Sequence, residues 1–217
     1  RSFLGAVDNR FVGIGNYKTV LGNTAFQLAV KNTLLFTLLC IPVLIIVALF
    51  CAVTLYKSKY GGIIKSAFLM PMALPAVSVA LVWRLLFHSQ GLLNHWLSGM
   101  GIDGNDWMNS GSAFWILFIS YIWKNLGYDI VLWMAGLAGI SSNIYEAARV
   151  DGANRFQELL HVSIPGIRQT IAFVLIMTIM WSFLTFDYVY IMTNGGPANA
   201  TEIMATYIYK NAFVKYR

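Results

Sequence analysis

The sequence predicts an all-α fold, a polytopic bundle of helices that crosses a membrane. Hydrophobic residues make up 58% of the chain and charged residues 11%, whereas an average soluble domain carries about 25% charged residues. The mean hydropathy is +0.65, and a soluble fold of this composition would expose more apolar surface than water tolerates. The apolar residues also fall into four long runs. Lipid is therefore the expected surrounding of this chain.

Each run is long enough to cross a bilayer, which takes about 20 mostly apolar residues. Pro71 and Pro75 lie in the second run, where we expect a kink and backbone carbonyls that neighbouring groups must satisfy. Pro165 precedes the fourth run and suits the first turn of a helix, where its missing N–H is not needed. The predicted spans cover residues 26–56, 63–87, 113–140 and 166–192 of a single transmembrane domain, residues 1–217.

The connections between the runs predict the orientation of the chain. Residues 57–65 contain Lys57, Lys59 and Lys65 and no acid, residues 88–112 contain no Lys or Arg, and residues 141–168 contain three arginines. Basic connections stay in the cytoplasm, so the first and third connections face inward and the second faces outward. Both chain ends are then external, and we expect one further span before and one after these residues.

The distribution of basic residues and the spacing of the cysteines argue against a nucleic-acid-binding protein, a disulfide and a metal site. The net charge of +6 comes from dispersed Lys and Arg without a basic stripe, which predicts headgroup anchors and no nucleic-acid partner. Cys40 and Cys51 lie in one helical run, about 16 Å apart at 1.5 Å per residue, too far for a disulfide. No His or Cys has metal-ligand spacing, so we predict no metal site.

The cytoplasmic connection between the third and fourth runs carries the most specific pattern. Ser142 is the expected N-cap of a short helix, with Glu146 in a first turn that favours negative charge. Gly152 can end that helix in a conformation other residues avoid. Asn154 and Gln157 have the spacing of a reciprocal cap, which begins a second helix. Small residues and one acid on a protruding helix suit docking into the groove of a partner. We expect one apolar stripe on the second helix, formed by Phe156, Leu159 and Leu160.

The same connection resembles the EAA signature of ABC importer permeases, Glu-Ala-Ala-x3-Gly-x9-Ile-x-Leu-Pro. The match runs from Glu146 through Gly152 to Pro165, with Val162 and Ile164 in place of the Ile and Leu. In that family the loop, here residues 141–165, is the coupling helix that sits in a cleft of the cytoplasmic ATPase subunit. Carried over by position, the resemblance implies that the ATPase-coupling residues are Glu146, Ala147, Ala148, Asp151, Gly152 and Pro165.

Further segments resemble the carbohydrate-type (maltose- or glycerol-phosphate-like) permeases, namely residues 11–17, 145–153 and 193–197. The resemblance implies a type I ABC importer permease fold, without its first and last spans in these residues, in the bacterial inner membrane. It implies import of sugars or a related polyol phosphate. The implied partners are a cytoplasmic ATPase dimer, a second permease subunit and an extracytoplasmic solute-binding protein.

We expect no cofactor on this chain itself, and ATP and Mg on the partner ATPase subunits. The sequence has no Gly-x4-Gly-Lys-Ser/Thr loop and no recognisable catalytic set, which argues against an ATPase and against a membrane-embedded enzyme. Two alternatives stay open at this point. An ion-gradient-driven secondary transporter would need clustered intramembrane acids, and an ABC permease for amino acids or peptides would share the coupling loop.

Charged residues inside spans are functional candidates. Lys124 and Asp129 flank Gly127 in the third run, where residues 124–127 predict a break that opens toward the translocation path. The alternative is that Lys124 reaches the headgroups and a neighbouring helix satisfies Asp129.

The fourth run ends in a group of residues that suits a sugar. Trp181, Asp187 and Tyr188 combine aromatic faces with a carboxylate, which match the apolar ring faces and the hydroxyls of a polyol. The alternative is that these aromatic side chains anchor the span at the membrane interface.

Overall fold

In the computed structural model, the described residues are 13–56, 58 and 61–215, with the backbone alone described at 61–63. All regular secondary structure among these residues is helical, as predicted. Lys57 and Lys59 of the first predicted connection lie outside the described residues, as do Phe11 and Val12 of the first predicted family segment.

In the described ranges, the α-helices follow one another along the chain and are joined by turns, loops and π-helical segments. They are α1 (Gly15–Leu21), α2 (Thr24–Tyr56), α3 (Gly61–Ala73), α4 (Ala76–Leu86), α5 (Leu92–Gly99), α6 (Ala113–Ala138), α7 (Ser142–Val150), α8 (Arg155–Glu158), α9 (Ile164–Gly166), α10 (Arg168–Phe183), α11 (Phe186–Met192) and α12 (Met204–Tyr209). Two wider, π-helical turns cover Leu159–Ser163 and Lys210–Val214.

Two of these helical stretches are long and apolar enough to cross a membrane, Thr24–Tyr56 and Arg168–Met192. A bent pair, Ile64–Ala73 and Ala76–Leu86, adds a third if the pair forms one broken span and not a re-entrant loop. The third predicted run forms the 26-residue helix α6. A helix or a helix pair therefore lies at each of the four predicted spans. The number of membrane crossings stays a prediction.

The expected kink in the second run lies at Pro75. α3 ends at Ala73, and Pro75 stands in an extended conformation (φ −55°, ψ 138°) before α4. Proline has no N–H, and its ring disfavours a helical conformation in the preceding residue. Pro71 lies inside α3 without ending it, so only one of the two prolines breaks the run.

The chain divides into two compact units. The first unit comprises Arg1–Leu38, Pro75–Tyr121 and Trp181–Arg217, as far as these ranges are described. In it α11 packs against α4, and Arg84 of α4 donates a hydrogen bond to the carbonyl of Ile191 at 3.1 Å. The buried apolar core of this unit is formed by Val79, Ala80, Met108, Ile116, Leu117, Tyr188, Val189, Met192 and Ile203.

Asn94 organises the segment between α4 and α6 in the first unit. Its buried amide group donates to the carbonyls of His88, Ser89 and Asn105 and accepts from the backbone of Asn105 and the indole of Trp107. Five bonds to one side chain fix a segment that has little regular structure of its own.

The second unit comprises Leu39–Leu74 and Ile122–Met180, again as far as described. It contains the segment that resembles the EAA signature. Small residues on α2 allow close packing against large ones from α6 and α10. Its buried core is formed by Ala48, Ala52, Ile130, Trp133, Leu137, Ile167 and Val174.

The predicted break at residues 124–127 is wrong, because α6 continues through this segment. A β-carbon at Gly127 would fall far inside 3.0 Å of the backbone of Phe68, in the same unit. Gly127 is therefore a point of close approach between two helix backbones, as small residues are in membrane helices, and not a helix breaker.

Candidate functional site

The first limb of the coupling loop is α7, and it begins one residue earlier than the sequence indicated. Ser141, and not Ser142, occupies the N-cap position, in an extended conformation and without a side-chain cap bond. Glu146 consequently lies one residue further along the helix than predicted, beyond the first turn, which contains no acid. Glu146 is exposed, so its carboxylate is available to a partner.

The joint between the limbs is formed as predicted. Gly152 has a φ of +84°, in the left-handed region that favours glycine. The side chain of Asn154 accepts from the backbone N–H of Gln157 at 2.9 Å, and the side chain of Gln157 accepts from the backbone N–H of Asn154 at 2.8 Å. This capping box starts the second limb, which comprises α8 and the π-helical turn Leu159–Ser163.

The two limbs are joined by side chains that the sequence patterns did not indicate. The hydroxyl groups of Tyr145 on α7 and Ser163 on the second limb lie 2.9 Å apart and share a hydrogen bond. Arg149 donates to both oxygens of the Glu158 carboxylate, from Nε at 2.6 Å and from Nη2 at 3.4 Å. Arg149 and Glu158 stand nine residues apart on either side of a glycine joint, a spacing that matches neither helical nor strand periodicity.

The Glu158 carboxylate also affects the arginine. The hydrogen bond between Arg149 and Glu158 is the main cause that raises the pKa of Arg149, and the negative charge of Glu158 raises it further. The guanidinium therefore stays charged at any physiological pH. Tyr145, Glu158 and Ser163 are all buried. The apolar residues predicted to form a stripe on the second limb are not packed into the unit, because Phe156 is 66% and Leu160 42% exposed. The side chains that this limb buries, Glu158 and Ser163, are polar.

A cavity of about 470 Å³ lies between the limbs and the ends of α2 and α6. Its walls mix apolar side chains with the polar groups of the loop, among them Val53, Leu137, Tyr145, Arg149, Arg155 and Glu158. The loop is therefore not packed solidly against the helices on this side.

The predicted ATPase-coupling residues lie mainly on accessible surface. Ala147, Asp151 and Gly152 are exposed, as is Glu146, and Ala148 is half-buried. A shallow groove brings Ala148, Asp151 and Gly152 together with Gln157 and His161. Val150 at the end of α7 is 88% exposed, so this apolar side chain is accessible as well.

Pro165 lies apart from that groove. It belongs to the short helix α9, one residue away from the start of α10 at Arg168. A long helix therefore begins within one short turn of Pro165, as expected, and its crossing of a membrane stays a prediction.

Lys124 and Asp129 both point into the second unit, and the structure does not bring them together. The ammonium group of Lys124 donates to the carbonyl of Leu74 at 2.6 Å. Leu74 directly follows the end of α3 and precedes Pro75, so Lys124 satisfies a carbonyl at the broken helix end. Asp129 is 3% exposed, and its Oδ2 has no hydrogen-bond partner among the described residues.

We predict that Lys124→Met lowers the stability of the protein by about 1–3 kcal/mol, because it leaves the Leu74 carbonyl unsatisfied. The measurement is the thermal unfolding of the purified protein in detergent. Lys124→Arg, which keeps a donor, is the matched control and should lose less. Equal stability of Lys124→Met and the unaltered protein would contradict the role given to this bond.

Trp181, Asp187 and Tyr188 separate into different environments of the first unit. Asp187 is exposed in the first turn of α11, whereas Tyr188 is buried with its ring against Tyr121 at 6.2 Å between centroids. Trp181 is half-buried, one short break before α11. Asp187 and Tyr188 therefore do not face the same space.

A cluster of aromatic rings surrounds the helix that carries Asp187. Phe186 stacks on Tyr190 with centroids 5.2 Å apart, and Tyr209 contacts both rings at 5.1 and 5.3 Å. Phe213 extends the cluster from Tyr209. Tyr209 and Phe213 come from a distant part of the chain, so sequence proximity did not reveal this group.

A family model described as "Binding-protein-dependent transport system inner membrane component" matches residues 25–215. Among curated proteins, the chain is 29% identical over 216 residues to the probable ABC transporter permease protein YurN of Bacillus subtilis, covering 96% of this chain and 74% of that protein. It is 30% identical over 213 residues to the lactose transport system permease protein LacF of Rhizobium radiobacter, covering 94% and 71%.

Solved structures include a close match in fold. A chain of a bacterial ABC transporter involved in the import of the acidic polysaccharide alginate superposes with a TM-score of 0.86 at 25% identity, over 97% of this chain and 76% of that chain. A second structure of the alginate transporter, in complex with an alginate pentasaccharide-bound periplasmic protein, gives a TM-score of 0.83 at 26% identity, over 94% and 74%.

Proposed function

Because the chain belongs to the family of binding-protein-dependent transport system inner membrane components, we propose that it is the permease subunit of an ATP-driven importer of sugars or a related polyol phosphate. The observation that carries the proposal is the coupling loop. An exposed Glu-Ala-Ala helix, a left-handed glycine joint and a capped second limb stand in sequence on one segment.

The first limb is the proposed contact with a cytoplasmic ATPase dimer. Ala147 and Ala148 leave room for a partner surface to approach the helix, and Glu146 and Asp151 offer carboxylates to it. In this proposal the partner subunits bind ATP and Mg and hydrolyse ATP, and this chain binds no cofactor. The permease contributes the helices that reorient and the loop that receives the motion.

The proposed substrate class rests on relatives and on the aromatic cluster. LacF is named for lactose transport, and the structural relative is described as importing alginate. Asp187 stands beside Phe186 and Tyr190, which together offer a carboxylate and ring faces to a sugar. Asp187 and Trp181 remain proposed path residues. The proposal that Lys124, Asp129 and Tyr188 line the substrate path has weaker support. Lys124 binds a backbone carbonyl of its own unit, and Asp129 and Tyr188 are buried.

The remaining parts of the proposed assembly follow the family. We place the chain in a bacterial inner membrane as a multi-pass subunit, paired with a second permease chain and served by an extracytoplasmic solute-binding protein. The structural relative in complex with an alginate pentasaccharide-bound periplasmic protein supports that last partner.

The test of the ATPase contact is purification of the full-length protein from detergent with its co-purifying subunits. We expect Glu146→Lys and Gly152→Pro to release the ATPase, since the first reverses an exposed charge. Proline holds φ near about −65°, far from the +84° of Gly152. The amount of ATPase retained per permease is the readout.

Two variants serve as matched controls in the same experiment. Asn143→Lys adds a positive charge to the same exposed helix outside the signature, and Gly152→Asn places a residue that tolerates left-handed φ at the joint. Both should retain the ATPase. If the unaltered protein binds no ATPase and moves solute down an ion gradient, the secondary-transporter alternative replaces the proposal.

The substrate is tested by ATP-dependent uptake into proteoliposomes that contain the assembled transporter and its binding protein. Radiolabelled lactose, maltose and glycerol 3-phosphate are the probes, with histidine as the amino-acid control. Uptake of a sugar or the polyol phosphate without uptake of histidine is expected. Uptake of histidine alone would transfer the chain to the amino-acid permeases.

A further inference from the structure

We infer that four side chains form a bracket that makes the two limbs of the coupling loop move as one rigid body. The bracket consists of Tyr145 and Arg149 on α7 with Glu158 and Ser163 on the second limb. The inference rests on the proposed function and names the positioning residues of the same loop. These residues act through the loop geometry and need not touch the ATPase.

The need for a bracket follows from the order of the elements. The exposed signature residues that would receive the ATPase motion stand on α7, whereas the second limb leads through α9 into α10. Between α7 and α8 the chain has only a short turn that contains Gly152. Glycine has the greatest backbone freedom of any residue, so this joint alone would let one limb move without the other.

Close packing between the two limbs does not compensate for the flexibility of the Gly152 joint. The cavity of about 470 Å³ lies beside these same side chains, and two of the large apolar residues of the second limb, Phe156 and Leu160, face outward. The limbs therefore touch through polar groups with defined directions. A two-armed guanidinium–carboxylate pair fixes orientation as well as distance, and the Tyr145–Ser163 bond adds a second point of attachment.

The bracket is proposed as a geometric device more than as a source of stability. The side chain of Arg149 is 53% exposed, against 11% for Glu158, so the pair is partly solvated and should contribute less free energy than a fully buried pair. Loss of the pair should leave the protein folded and the ATPase bound. What should change is the relative motion of the limbs, which is the quantity to measure.

The experiment places spin labels on both limbs of the full-length permease in its assembled transporter, purified into lipid nanodiscs. The labels are attached at Asn143→Cys and Leu160→Cys, with Cys40, Cys51 and any other cysteine of the assembly replaced by alanine. Distances are measured by pulsed electron paramagnetic resonance without nucleotide and after trapping with ATP and vanadate. The bracket variants are Arg149→Gln, Glu158→Gln, Tyr145→Phe and the exchange Arg149→Glu with Glu158→Arg.

In the unaltered protein we expect one narrow distance that trapping leaves unchanged. Arg149→Gln and Glu158→Gln should each broaden the distance distribution by about twofold, because the guanidinium–carboxylate pair that fixes the two limbs is lost. Trapping should then shift the mean distance. Tyr145→Phe should act in the same direction with a smaller effect. The charge exchange should restore the narrow distance. Arg155→Gln, which removes an equal charge from the same loop and leaves the bracket intact, should match the unaltered protein.

The outcomes separate the two proposals. If the ATPase co-purifies and the charge-loss variants keep the narrow, unshifted distance, the bracket is overturned and the importer assignment stands. A distance that changes on trapping in the unaltered protein overturns it as well. If no ATPase co-purifies with the unaltered protein, the proposed function fails.

Discussion

Gly127→Val is expected to remove most of the folded protein from the membrane fraction. The β-carbon of any larger residue would overlap the backbone of Phe68, and a backbone contact cannot be relieved by turning a side chain. Overpacking of this kind costs about 1–3 kcal/mol and occasionally more. We expect Gly127→Val to lie at the upper end of this range, because both backbones belong to rigid helices. The measurement is the monodisperse fraction after detergent extraction, with the thermal midpoint of what remains.

The chain offers two comparisons for this result. A β-carbon at Gly99, the last residue of α5, meets nothing within 4 Å, so Gly99→Val should extract like the unaltered protein. At Gly136 the nearest atoms belong to the side chain of Thr170, which can turn away, so Gly136→Ala should have an intermediate effect. Normal extraction of Gly127→Val would show that α3 and α6 can separate without cost.

Lys210→Met should destabilise the first unit by about 3–5 kcal/mol, the cost of leaving one partner of a buried ion pair unpaired. The Lys210 ammonium lies 2.5 Å from Glu202 Oε2 and 2.7 Å from the carbonyl of Asn194. The Glu202 side chain is 3% exposed, and its Oε1 has no hydrogen-bond partner among the described residues. Without the lysine the carboxylate must stay buried alone or be drawn out of the fold.

A double variant separates charge from packing. Lys210→Met with Glu202→Gln removes both charges and should recover part of the loss, since residues in contact are not additive. Lys215→Met, an exposed lysine five residues further on, controls for the change in net charge. Thermal unfolding monitored by tryptophan fluorescence is the measurement. Equal losses in the single and double variants would assign the effect to packing alone.

The fold was predictable where the signal is local. Apolar length placed α2 and α10 with α11, and the two prolines of the second run predicted a kink there without showing that it lies at Pro75. The glycine joint and the Asn154–Gln157 cap followed from residues that perform their function within a few positions of chain. The resemblance to a known family adds the proposal that these parts face a partner ATPase.

The sequence alone could not predict features that depend on which residues meet in space. A glycine in a helical run is compatible with a break or with close packing, and only the position of Phe68 decides for Gly127. Lys124 had no visible acceptor, because its partner is the carbonyl of Leu74 on another helix. Arg149 and Glu158 meet only after the chain has folded back at Gly152.

The exposed apolar side chain of Val150 has a consequence for how such a protein is produced. Apolar surface left in water favours association with other proteins. In the proposed assembly the ATPase would cover Val150, and a permease made without that partner would leave this side chain uncovered. Balanced synthesis of the two subunits would then limit association of the unassembled permease.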